Sequence, residues 1–574
     1  MKLDLSKPAV LDPAQREALN SIALEARQSF NALVSRLSLP HGDSIDWWVT
    51  PVASRNVFSC ALFLRCCQLL LAVRAVESGT VDEIVVESPG LAAVLRETLA
   101  DLHPRVSVRT RQSAVLWRAG MLAGMCYRMA AAGFHALGQI ICSRLFRNAS
   151  RPVPPAPCVL VDTFIYRDSF RHGYRDRHYP GLLECLTEEQ RRQVCFLPTY
   201  YKIKNYAWLF RALRNSNVNF LLKEDWLRLG DYLYALTHPY RLLGFTVGKC
   251  DFEGMNVAPM VNEALYQSFA ASGSIEGLLR YRLALRLGES RVPVSKVIDW
   301  FENQEMDHGS NAGLRRFLPE ARIVGYQGFV FSPHYLCMFP THDEMRFELI
   351  PHQVAVMGPA LVQPAREFCP ELEVCVAPAL RFSGLWRESR PRTGREEFRI
   401  LVALPLMADE CDAVLELVAA AVVDFPRDEG GRWRLRVKRH PAMDAGGSKT
   451  ESLIAQFERA DGDFDELLAE SDVLVSGASS VCVQAVAHGI PVAVLGNPRG
   501  ITFNPIPEGI DRELWTLCHT PGQLAAALRG YVRRDEGTIA RHQALGRMVR
   551  ERYFSPVTRE AVINLLLPES TASA

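Results

Sequence analysis

The sequence lacks any uncharged apolar run long enough to span a bilayer, which excludes an ordinary membrane-crossing helix. It lacks an excess of either charge: 65 Lys and Arg stand against 64 Asp and Glu, a net +1. No global field therefore directs the chain to nucleic acid, and no such partner is expected. Its 15 cysteines are scattered, and the one tight pair, Cys66-Cys67, has no second pair at zinc-site spacing, so no metal is expected. Free thiols, and a polar start (MKLDLSKPAVLDPAQ) without a secretion signal, point to a reducing cytoplasm. No solenoid-type repeat is present.

What is there is ordinary soluble composition, 48% hydrophobic and 22% charged, in 574 residues. That length is too great for one hydrophobic core, so two or three domains are expected. Short apolar runs alternate with helical patterns. Candidate strands are 46–53, 81–88, 106–110, 158–164, 194–201, 218–225, 297–303, 322–328, 353–359 and 372–378. Most are continuous rather than alternating, which favours buried parallel strands. The stretch 385–397 (LWRESRPRTGREE) is polar and reads as a linker.

A second α/β series follows, with strands at 398–405, 433–441, 472–477 and 491–496 and helices between. The expectation is two Rossmann-like, doubly wound α/β domains (1–384 and 398–574) facing a cleft. Within the first, 116–147 carries four arginines and no acid. It reads either as a basic amphipathic insertion (near 114–150) on an anionic membrane surface or as a buried helix pair with arginines at its rim.

Two stretches carry chemistry. In LRVKRHPAMD (435–444) a strand runs into Lys438, Arg439, His440 and Pro441, and the proline stops the ladder. In 471–496 a buried strand ends at Ser476-Gly477, and Ser479 and Ser480 open a helix that His488-Gly489 closes. A helix start offers free N–H groups to a phosphate, and Gly477 permits close approach. Each feature alone is as readily a turn or a cap. Together, at strand ends in one domain, they favour phosphate binding.

A His-Pro after a strand, followed by strand–Ser-Ser–helix, resembles the nucleotide-binding half of GT-B glycosyltransferases that use CMP-activated acidic sugars, over about 398–530. The stretches 47–56, 297–328 and 333–341 resemble bacterial surface-carbohydrate proteins of the O-antigen or capsule type. The resemblance implies that His440 and Ser479/Ser480 hold the cytidine phosphate. It implies an enzyme moving Kdo or another nonulosonic acid from a CMP donor to lipopolysaccharide O-antigen or capsule. The glycan acceptor would be lipid-linked, with no cofactor beyond the donor and with cytoplasmic location, peripheral on the inner membrane. The alternatives are a UDP-sugar or CDP-glycerol transferase of the same architecture, or a non-catalytic GT-B scaffold.

Glycosyl transfer needs a carboxylate at the anomeric carbon, as base or as nucleophile. Glu302 stands at a strand end beside Asn303 and Gln304, amides suited to sugar hydroxyls. Asp251 and Glu253 in KCDFEG are second candidates. The resembled sialyltransferases carry an acidic-acidic-Gly motif, which Phe252 interrupts here. Arg55 and Asn56 after the first candidate strand, and Tyr326 and Gln327 at the end of 322–328, are expected to line the cleft. His238-Pro239 follows a helical stretch and reads as a helix terminator. The loop 497–509 is expected near the nucleoside.

Overall fold

The computed structural model describes residues 2–100, 103–147, 154, 156–171, 173–386, 397–405, 408–423, 432–440, 448–477 and 479–567. The expected linker lies almost wholly outside them, as does Pro441.

Three parallel sheets organise the chain. The first is small: β1 (Lys2–Leu5), β2 (Glu83–Val86) and β3 (Ser107–Thr110), side by side in that order. It packs with the helices Pro13–Glu25, Leu62–Glu77 and Pro89–Ala100 into one core around Trp47, Phe63 and Leu95.

The second sheet holds β4 (Cys158–Ile165), β5 (Val194–Tyr200), β8 (Val294–Trp300), β9 (Arg322–Gln327), β10 (Gln353–Val356) and β11 (Val374–Val376). Between β5 and β8 a hairpin of β6 (Asp251–Phe252) and β7 (Met255–Asn256) stands apart. The order is β5-β4-β8-β9-β10-β11, and Phe220 bridges to the free edge of β5 at Phe196. Counting that stub as the third strand gives the Rossmann order 3-2-1-4-5-6, with β11 as a seventh strand at the edge.

The third sheet repeats it. β12 (Glu397–Ala403), β13 (Arg432–Lys438), β14 (Glu458–Arg459), β15 (Val473–Ser476), β16 (Val492–Leu495) and β17 (Trp515–Cys518) lie in the order β14-β13-β12-β15-β16-β17. β15 and β16 are buried throughout, which is why their sequences run apolar without alternation.

After the third sheet the chain returns. Helix Glu536–Tyr553 packs on the third sheet's helix Val481–Ala487. Helix Arg559–Leu566 then lays Val562, Leu565 and Leu566 into the core of the second sheet, beside Val159, Ile298 and Val324. Lys296 on β8 donates from Nζ to the carbonyls of Asn564 (3.3 Å) and Leu567 (3.0 Å) there.

Three expectations are corrected. Residues 46–53 form no strand: Ile45–Trp48 is one helical turn followed by turns. Its indoles are satisfied locally, Trp47 Nε1 on Ser38 Oγ (3.0 Å) and Trp48 Nε1 on the Gly42 carbonyl (2.8 Å), so aromatic burial is met without a ladder. Of 218–225 only a bridge at Phe220 pairs, and a short 3-10 turn follows. The basic segment is neither a helix pair nor buried: Ala114–Leu145 is one 32-residue helix, of which only Ser143 is fully buried.

Candidate functional site: the cleft between the two six-stranded sheets

In each large sheet the strand order reverses between the first and fourth strands in sequence. A crevice therefore opens at the carboxyl ends of β4 and β8 and again at those of β12 and β15. The first crevice is dense with function-bearing groups. Tyr166 follows β4, Tyr201 and Lys202 follow β5, and Glu302 follows β8.

Glu302 is half-buried and held by two donors, Trp300 Nε1 on one carboxyl oxygen (2.9 Å) and Gln304 Nε2 on the other (2.7 Å). Burial raises its pKa; the Trp300 bond and the charge of Arg381 pull the other way.

Arg177, His178 and Arg381 complete this side. The Arg177 guanidinium stacks on the Tyr166 ring at 4.6 Å and pairs with Asp168. The His178 ring packs on Trp300, centroids 4.2 Å apart. Burial first, then Arg381 and Arg177, hold its imidazole well below the usual histidine range. Arg381 is exposed and lies 5.7 Å over the Trp300 ring, the same indole that holds Glu302. No described residue hydrogen-bonds its guanidinium.

The other wall comes from the third sheet. His440, two residues beyond β13, is half-buried. Burial, then the charges of Arg381, Arg177 and Lys202, push its imidazole down to about 4. The imidazole is thus neutral near pH 7 and faces three cations supplied by the second sheet.

Further along, the Tyr335 and Phe503 rings meet at 4.9 Å, with Phe58 against both. There the cleft continues into a cavity of about 810 Å³ at the ends of β15, β16 and β17. Gly477, Gly496, Asn497 and His519 line it on one side, and Arg16 and Arg65 of the first-sheet region on the other. Arg16 donates from Nη1 to the His519 carbonyl (2.7 Å), while its buried Nε and the His519 Nδ1 find no partner among the described residues.

Beneath Glu302 lies a layer of buried acids: Asp162 on β4, Asp299 on β8, and Asp307 on the following helix. Arg280 donates to Asp162, Asn311 Nδ2 donates to Asp299 (3.0 Å), and Asp307 accepts from the amides of Glu302 (3.2 Å) and Gln304 (2.8 Å). Burial first, then the neighbouring Asp162, raises the Asp299 carboxyl to about 7. Among the described residues no cluster of His, Cys, Asp and Glu has a metal-holding arrangement.

The structure sorts the sequence-derived residues. His440 and Glu302 both feel the charge of Arg381, and Gln304 contacts Glu302. Gly477 lines the cavity, and Ser479 and Ser480 follow it, half-buried; Ser480 is an N-cap whose hydroxyl makes no cap bond. Ser476 is turned inward, Oγ on the Ala403 carbonyl (2.9 Å), tying β15 to β12. Lys438 donates to the Gly462 carbonyl (2.6 Å) and Arg439 pairs with Glu451.

Arg55 is fully buried, pairing with Glu344 (2.7 Å) and donating to the carbonyls of Leu336 and Phe339. Asn303 bridges Glu344 and His308, and Asn56 bonds Glu305. Tyr326 donates to the Pro378 carbonyl (2.8 Å) and Gln327 to that of Met338 (2.9 Å). Asp251 and Glu253 sit on the β6–β7 hairpin against helix Arg27–Ser38, where Glu253 accepts from Ser29. They are not brought to the cleft groups around Glu302. His238 is buried where two short helices abut, its Nε2 on the Asp46 carbonyl (2.9 Å).

Sequence reasoning missed Tyr166, Arg177, His178, Lys202 and Arg381. The signal for the first three was legible: YRDSFRHGYRDRH (166–178) crowds Arg, His and Tyr directly after a buried strand. Arg381 comes from a 3-10 segment, Leu380–Trp386, with no such signal.

Two Rossmann-ordered sheets with their strand ends opposed across a cleft, and a last helix crossing back to the first of them, define the GT-B class of fold. No protein-family model matches the chain, and no curated protein matches it. Solved structures similar to it include the Staphylococcus aureus MnaA–UDP complex, at 9% identity over 71% of this chain and 95% of that one, TM-score 0.42. The α,α-trehalose 6-phosphate synthase of Burkholderia multivorans is similar at 12% identity over 68% and 91%, TM-score 0.39. MurG of Acinetobacter baumannii is similar at 12% over 71% and 99%, TM-score 0.36.

Proposed function

We propose that the protein is a glycosyltransferase that takes a nucleotide-activated acidic sugar, of the CMP-Kdo or CMP-nonulosonate kind, and transfers the sugar to a lipid-linked surface glycan. The observation that carries this reading is the half-buried carboxylate of Glu302 at a switch-point crevice, under the charge of Arg381, which together with Arg177 and Lys202 also acts on the neutral imidazole of His440. An acidic sugar linked to a single phosphate brings two negative charges to one small volume. Three cations gathered on the second-sheet side of the cleft suit that load better than they suit a neutral sugar.

In this reading the nucleoside lies in the cavity at the ends of β15–β17. The phosphate lies between His440 and the cations, and Ser479 and Ser480 add hydroxyl and amide donors. The acceptor hydroxyl attacks the anomeric carbon and gives its proton to Glu302. The bond from that carbon to the phosphate oxygen breaks, and CMP leaves with the electron pair, its charge met by the cations. A carboxylate whose pKa is raised by burial is the stronger base for this step.

Calorimetric titration with CMP, UMP, UDP and CDP tests the reading. CMP is expected to bind best, and His440→Ala and Arg381→Ala each to weaken it tenfold or more, about 1.4 kcal/mol. Glu302→Gln is expected to leave CMP affinity within about twofold while turnover of a CMP-sugar falls at least a hundredfold. Tighter binding of UDP would overturn the choice of donor, and no binding of any nucleotide would overturn the enzyme reading.

A further inference from the structure

Of helix Ala114–Leu145 only Trp117 lines the cavity, and the helix's outer surface carries none of the cleft groups. Eight large apolar side chains are exposed along it: Val115, Leu116, Leu122, Tyr127, Phe134, Leu137, Ile141 and Leu145. Tyr127 and Phe134 are each 75% exposed and Leu145 72%. At about 100° per residue all eight fall within an arc of about 140°. The adjoining arc is the one that packs: Met129, Ala132, Ala136 and Ile140 touch the core beneath the second sheet, and Arg128 donates to the Phe269 carbonyl (3.0 Å). The outward face is therefore fixed by packing, not by a loose helix. A contiguous apolar face of this length on a soluble surface marks a contact with something apolar.

Charge says what that something is. From His103 to Val161 the sequence contains eight arginines and no Asp or Glu. Arg111, Arg118, Arg144 and Arg147 are exposed beside or at the ends of the apolar arc. No helix among the described residues is long and apolar enough to cross a membrane. A long helix with an apolar face, arginines and no acid meets the physical requirement for lying in the interface of an anionic bilayer. The neighbouring helix Leu229–Leu236, which contacts it, adds exposed Leu229 and Leu233 one turn apart.

We propose that the outer face of helix Ala114–Leu145 is a docking surface for an anionic lipid bilayer, on which the helix lies flat with its apolar arc in the acyl boundary and its arginines among the headgroup phosphates. The proposal does not rest on the identity of the sugar donor.

Flotation of the full-length protein with vesicles tests it. The protein is expected to float with vesicles of phosphatidylglycerol and phosphatidylcholine, to float at least tenfold less with phosphatidylcholine alone, and to be released as salt is raised. Phe134→Glu/Leu137→Glu/Ile141→Glu is expected to abolish flotation while leaving the circular dichroism spectrum and CMP affinity unchanged. Because all three side chains point outward, the triple variant is expected to fold. A milder Phe134→Ser/Leu137→Ser variant, expected to weaken flotation several-fold, covers the case in which it does not. A wild-type protein that stays with the soluble fraction at every lipid composition would overturn the proposal. So would a stable dimer in light scattering that the triple variant dissociates, since a second copy would then cover the face. Equal binding to both vesicle types would overturn the anionic part.

Discussion

Asp299 ends its side chain in a layer of acids that a single guanidinium, Arg280, has to serve. Its folded pKa of about 7 lies above the ordinary 3.8, so between these values the native state holds a proton that the unfolded chain has released. Stability from this group is full below about 4 and is lost as pH rises through 7. Raised carboxyls at Asp162 and Asp307 act in the same direction. The melting temperature is expected to fall between about pH 5.5 and pH 8, and Asp299→Asn to flatten that dependence and melt higher at pH 8; scanning calorimetry across the range checks both. Glu344 has the opposite sign: paired with Arg55 and His308, its carboxyl sits at about 2, so its contribution is present above 4.5 and lost as pH falls through 2.

At this scale the sequence was legible where chemistry and position coincide. Glu302 stands at a strand end with amides beside it, and His440 ends a strand before a proline. It was not legible for Arg55 or Asn303, whose side chains look available in one dimension and are consumed by Glu344, a partner that only tertiary structure supplies.

At the scale of elements, buried parallel strands announced themselves. The runs at 158–164, 297–303, 322–328, 398–405 and 472–477 are apolar on both faces, and each is a strand. β1, β14 and β17 were missed because they are two to four residues long and take their pairing from a neighbour rather than from their own pattern. The same dependence misplaced 46–53, where β-forming residue types are buried by packing around a helical turn.

Contacts between elements are tight enough to test. A Cβ built at Gly358 would stand 2.2 Å from the backbone carbon of Tyr553, at the close of helix Glu536–Tyr553, while one at Gly230 would meet nothing within 4 Å. Gly358→Ala is expected to cost about 1–3 kcal/mol in urea unfolding, by prising that helix from the segment after β10. Gly230→Ala, in an exposed helix, is expected to be neutral or to stabilise by about 0.5–1 kcal/mol.

At the scale of the molecule, the sequence showed two α/β series and a polar break, and the structure gives two large parallel sheets that each reverse order at their first strand. What stayed hidden was their mutual placement. A third, smaller sheet built from the first strand and from residues around 84 and 108 supplies one wall of the nucleotide-sized cavity, and Arg381 reaches over the Trp300 ring from beyond β11. Both depend on contacts between residues hundreds of positions apart, such as Arg16 with His519, for which a single sequence carries no periodic signal.

The helix Arg559–Leu566 gives the chain an order of assembly as well as a shape. Its three buried side chains cover strands laid down about 240 to 400 residues earlier, and the Lys296 ammonium bonds carbonyls of Asn564 and Leu567. During synthesis the second sheet therefore emerges with only part of this face covered, by Tyr179, Leu182 and Leu186, and waits for its remaining cover while the whole third sheet is made.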